Sequence, residues 1–148
     1  MSQINRRTVV RGAAWTVPVV AVASTAPAFA ASTTPPAVSG FTGCKTPGDP
    51  NGPNCQGYRL NATMTVDAPY TWTVVLQQVK IDGADVTSSL QPTNTYTVSS
   101  SNPVVSFRIC TDKSPGQISV QLVYSVSRTG VPPVTLTAPA MVVKLNPC

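Results

Sequence analysis

The chain reads as all-β: a single antiparallel β-sandwich of about seven strands that follows an N-terminal signal peptide. Three observations carry that expectation. Beyond the first thirty residues the chain is rich in Val, Thr and Ser and studded with Pro, a composition that favours strands joined by turns over helices. Its apolar residues alternate with polar ones at period two over short segments, and these segments follow one another at sandwich-like intervals. The roughly 118 residues left after residue 30 suit one domain with a modest core.

The first element is an address rather than part of the fold. Residues 1–30 carry a basic front at Arg6, Arg7 and Arg11, then an apolar stretch, then the small-residue ending Ala28-Phe29-Ala30. That layout is a secretory signal with cleavage expected after Ala30. Pro18 and Pro27 interrupt the nineteen residues between Arg11 and Ala31, so the stretch falls short of a membrane span of about 20 strongly apolar residues. The run Arg6-Arg7-Thr8-Val9-Val10-Arg11 resembles the twin-arginine export signature. The leader as a whole is similar to those of secreted proteins from high-GC Gram-positive bacteria. The resemblance implies an extracellular protein, with no membrane association after cleavage and a place in the medium or at the cell surface.

Residues 31–37, ASTTPPA, read as a flexible spacer, and 38–148 as the folded domain. Gln56 to Val66 alternates cleanly, with Tyr58, Leu60, Ala62, Met64 and Val66 on one face. Thr71 to Ile81 is a long strand whose inward set switches from Trp72, Val74 and Leu76 to Val79 and Ile81, which predicts a bulge near Gln77-Gln78. Asp82-Gly83 predicts a tight turn. A short or edge strand over Ala84 to Leu90 and another over Thr93 to Ser99 follow, the second with Tyr96 and Val98 inward. Val104 to Cys110 and Ile118 to Ser127 alternate again, and Val134 to Leu145 closes the chain with Pro139 marking a bulge or a change of sheet. This series resembles an immunoglobulin-like or fibronectin-like sandwich, with a small barrel or jelly roll as the alternative.

Four cysteines, Cys44, Cys55, Cys110 and Cys148, remain after the leader. An even count in an exported chain predicts two disulfides. Their spacings, with ten, fifty-four and thirty-seven intervening residues, lack the paired knuckles of a zinc site. Cys44 with Cys55, closing a segment made almost wholly of turn residues, and Cys110 with Cys148 are the leading pairing. The order Cys55, Trp72, Cys110 resembles the Cys-Trp-Cys order of immunoglobulin domains and implies the rival, Cys55 with Cys110 and Cys44 with Cys148. Arg108 stands where that family has its corner Tyr, so the likeness extends to the architecture only. Twin-arginine cargo typically leaves a reducing cytoplasm already folded, so the disulfides would close during or after export.

Charge and chemistry exclude more than they assign. The formal charge of +5 falls to +2 once three arginines leave with the leader, and the seven remaining cations are scattered, without the basic groove that nucleic acid needs. The chain has no His and no Glu, which removes imidazole-based catalysis and imidazole zinc sites. No Ser-x-x-Lys spacing occurs after the leader, and the Asp residues fall mostly in predicted turns. No cofactor and no enzymatic activity are expected. Asp49 to Asn54 alternates oxygen ligands but has too few carboxylates for calcium, and Asn61-Ala62-Thr63 is a mid-strand sequon. Tyr70 and Trp72, two apart on one strand face, could stack on a sugar ring, although Trp72 suits the core better. The expectation is a secreted, non-catalytic binding or adhesion module whose partner is a cell-wall polymer or an extracellular protein. A secreted inhibitor or effector of an extracellular enzyme is the alternative.

Overall fold

Two sheets, antiparallel except where β11 meets β1, face each other across an apolar interior, in a computed structural model that describes residues 34–48 and 55–148. The expected leader with Arg6, Arg7 and Ala30, the start of the expected spacer and residues 49–54 lie outside the described residues. One sheet holds β1 (Ala37–Thr46), β2 (Gly57–Thr65), β5 (Leu90–Gln91), β7 (Val104–Cys110) and β11 (Asn146–Pro147), in the order β11-β1-β2-β7-β5. The other holds β3 (Thr71–Ile81), β4 (Ala84–Asp85), β6 (Thr95–Ser99), β8 (Gln117–Arg128), β9 (Val131–Thr137) and β10 (Met141–Lys144), built around the β3–β8 pair. Eleven strands among the described residues replace the expected seven or so, because β4, β5 and β11 are only two residues long. The order β1-β2-β7-β5 against β3-β8-β9 follows the plan of seven-stranded immunoglobulin-like sandwiches. No α-helix occurs among the described residues.

The core is the inward face of the predicted alternation. Tyr58, Leu60, Ala62 and Met64 of β2 and Val105, Phe107 and Ile109 of β7 pack against Trp72, Val74, Leu76, Val79 and Ile81 of β3 and the even-numbered face of β8. The switch of inward residues along β3 is a β-bulge between Leu76 and Gln78, at the expected position. Asp82 and Gly83 both take positive φ, 51° and 82°, and form the turn that follows.

Three segments differ from the sequence reading. The strand β1 was not foreseen: its apolar residues Val38 and Phe41 lie three apart because the register shifts between Val38 and Gly40, which breaks period two. The fold also takes hold before residue 38. Pro36 is buried, and the Tyr124 hydroxyl accepts from Val38 N–H and donates to the Pro36 carbonyl, both at 3.2 Å. Residues 84–91 form no single strand but cross from one sheet to the other through a 3-10 turn at Thr87–Ser89. The break at Pro139 is a bulge within one sheet, since β9 and β10 both pair with β8. The change of sheet comes later, when β11 pairs in parallel with β1.

Candidate functional site

Both disulfides sit at one end of the sandwich. Cys44 bonds Cys148 and Cys55 bonds Cys110, with Cα separations of 5.0 and 5.4 Å. This corrects the leading pairing and makes the rival the real one. The ladder gives the reason: Cys44 is in register with Arg59, and Cys55, two residues before β2 begins, lies beside Thr46 rather than opposite Cys44. Cys148 instead ends beside Cys44, because β11 sets Asn146 opposite Cys44. The second bond also departs from the immunoglobulin scheme. It joins adjacent strands of one sheet, since Cys110 ends β7 and does not lie on β8. No free cysteine remains for a metal.

Around these bonds the same end is tied by backbone. Thr111 N–H donates to the Gln56 carbonyl, Leu145 N–H to the Gly116 carbonyl and Cys148 N–H to the Lys45 carbonyl, at 2.9 Å each. The Lys45 ammonium reaches the Ser114 carbonyl at 3.1 Å. Gly57, at φ 155°, lets β2 pass against β7: a Cβ there would lie 2.0 Å from the Ile109 carbonyl oxygen. The β1–β2 connection thus leaves and re-enters the fold beside two separate cross-links, and is not a loop closed on itself.

A pocket of about 270 Å³ opens at this end, between the β3–β4 turn and the end of β7. Ile81, Val86 and Ile109 supply apolar wall, and Asp82, Thr111 and Lys113 supply polar wall. Tyr58 also lines it and is 3% exposed. Its hydroxyl makes no hydrogen bond with any described residue and is not fully buried. Burial, then the charges of Asp82 and Asp112, push the Tyr58 phenol above its ordinary pKa. Nothing in the sequence pattern marks this pocket, because Tyr58 reads as one more inward residue of a strand.

The other sequence candidates serve the framework. Trp72 is 1% exposed in the core. Tyr70 is half-buried and has the Arg128 guanidinium over its ring at 4.0 Å, with the same group 5.2 Å from Trp72. The pair presents no open stacking platform. Asn61 lies on β2 with its carbonyl oxygen accepting from the Ser106 hydroxyl at 2.7 Å. Asp82 ties the β3–β4 turn to β8 by accepting from Ser119 N–H at 2.8 Å.

Asp85 accepts from the hydroxyl and the N–H of Thr87 and from the Gln78 amide, while that same Thr87 hydroxyl accepts from Val79 N–H, beside the bulge. The Thr87 hydroxyl first, then Gln78 and the Thr87 amide, hold the Asp85 carboxyl down at about 2, from an ordinary value of 3.8. A depressed carboxyl stabilises the fold fully above its unfolded value, and the contribution is lost as pH falls towards 2. The melting temperature of the wild type is therefore expected to drop between pH 4 and 2, and Asp85→Asn to flatten that drop. Identical acid profiles for both proteins in calorimetry would contradict it.

No protein-family model matches this chain, and no curated protein or solved structure compared with it does either.

Proposed function

We propose that the protein is a secreted, non-catalytic binding or adhesion module that acts at or outside the bacterial cell surface and engages a cell-wall polymer or an extracellular protein through its stapled end. The observation that carries this reading is the placement of both disulfides at that end, on either side of the β1–β2 connection. Holding loops before a partner arrives reduces the ordering cost of binding, and sandwiches place interaction residues on loops. Two disulfides also suit an oxidising compartment, in line with the leader.

The test incubates the oxidised protein with cell-wall fractions and with culture supernatant. Co-sedimentation with walls, or specific capture of a surface protein, is the expected result, weakened when Cys55 and Cys110 are both changed to Ser. Recovery of a soluble hydrolase whose activity falls on binding would establish the inhibitor alternative in its place. Hydrolytic activity of the protein itself, abolished by a single Ser or Asp substitution, would overturn both.

A further inference from the structure

The pocket beside Cys110 opens at the stapled end, between the β3–β4 turn and the end of β7, with Thr111, Lys113 and Pro115 of the β7–β8 loop in its wall. We propose that it is a binding site for a compact organic ammonium, a single ring or short branched apolar body carrying a protonated amine. This goes beyond the docking role above and stands or falls separately from it.

Shape sets the first limit. At about 270 Å³ the pocket lies just below the roughly 300 Å³ where sites for drug-sized ligands begin, so it takes a fragment of one ring. The walls set the second: Ile81, Val86 and Ile109 offer apolar contact to the body of such a ligand. The third comes from the polar atoms. Tyr58 is a side chain 3% exposed that lines the pocket, and its hydroxyl, with no partner among the described residues, is open to one from the pocket side.

Donor and acceptor counting then selects the charge. The Asp82 carboxylate only accepts; one oxygen takes Ser119 N–H and the other is left over. Tyr58, Ser89 and Thr111 hydroxyls accept or donate, and the one obligate donor among the lining side chains is Lys113, which is exposed as Asp82 is. Asp112, next to Lys113, adds a second negative charge close enough to act on Tyr58. A ligand with several N–H donors and a positive charge satisfies this set. A carboxylate would meet two negative charges, Asp82 and Asp112, against the single ammonium of Lys113, and is expected to bind more weakly than an amine. The same chemistry can come from a free amine or from a lysine side chain of a partner polypeptide.

The experiment titrates the oxidised, isotope-labelled protein with benzylamine at millimolar concentration and follows backbone amide shifts, with benzyl alcohol and benzoate as controls. Benzylamine is expected to shift amides of the 81–86 and 109–113 segments in a saturable way, and benzoate is not. Tyr58→Phe keeps the ring that fills the core and removes the hydroxyl, and should weaken benzylamine about fivefold. Asp82→Asn keeps an oxygen for Ser119 N–H and should weaken it about tenfold, while leaving benzyl alcohol unchanged. A parallel titration with Nα-acetyl-lysine amide separates the sources: binding as tight as benzylamine assigns a partner's lysine, and weaker binding a free amine. Equal shifts with benzoate, shifts scattered away from the pocket, or affinities untouched by both variants would overturn the proposal. Amide spectra of the free variants, matching wild type outside the pocket, show that the fold is kept.

Discussion

Changing Cys55 and Cys110 together to Ser is expected to lower unfolding free energy by about 4 kcal/mol, and to do so more than the equivalent change at Cys44 and Cys148. Chain entropy alone orders them the other way. With 55 residues separating one pair and 104 the other, the loop terms are roughly 4 and 5 kcal/mol. What reverses the order is how each native state responds. Cys110 closes a seven-pair ladder between β2 and β7, and Gly57 sits against Ile109, so cutting that bond leaves the folded chain nowhere to relax. Cutting the other bond frees β11, two residues at the chain end, which fray and recover entropy. Urea denaturation of both double variants under oxidising conditions measures this, with midpoints compared at equal m-values. A larger loss for Cys44 and Cys148 would show that β11 stays docked without its bond. Because domain stabilities are typically 5–15 kcal/mol, either variant should still fold at room temperature. That result bears on the proposed export route, since cargo folded in a reducing cytoplasm must hold together on its apolar core before the bonds close.

Much of this framework is legible in the chain, and the misses share one cause. β3, β7 and β8 are strands whose two faces differ strongly, so residues such as Trp72, Phe107 and Leu122 announce their side and even the bulge near Gln77 shows as a change of phase. β1 has no such contrast. It lies between β11 and β2, and only Val38 and Phe41 press on the core. Without β1 in the pattern, Cys44 reads as the start of the turn-rich segment that follows it, which makes Cys55 its nearest partner in sequence. The true partner depends on β11 returning in parallel to β1, a long-range contact that no local pattern encodes. The pocket was hidden for a related reason. Tyr58 and Asp82 are 24 positions apart and meet only because β2 and β3 belong to opposing sheets.

Trp72→Ala is expected to cost about 4 kcal/mol, the largest single-residue effect in the sandwich core, and Trp72→Phe much less than volume alone would suggest. The indole is 1% exposed on the central strand of its sheet, so truncation to Ala leaves a cavity that β8 cannot collapse to fill while its ladder with β3 holds. Phe retains most of the packing. It also removes Nε1, a buried donor with no hydrogen-bond partner among the described residues, whose desolvation already works against the native state by roughly 1–3 kcal/mol. Loss of ring volume and relief of that donor oppose each other, and a net change under about 2 kcal/mol is expected. Chemical denaturation monitored by far-UV dichroism suits the series, since Trp72 is the one tryptophan beyond residue 30 and its fluorescence vanishes with it. If Phe proved as costly as Ala, the indole nitrogen would have to be bonded in solution, most simply through water. The comparison also separates packing from recognition: a residue held for a sugar platform would tolerate Ala in stability and fail in binding, whereas Trp72, roofed by Arg128 and closed in by the core, is expected to fail in stability first.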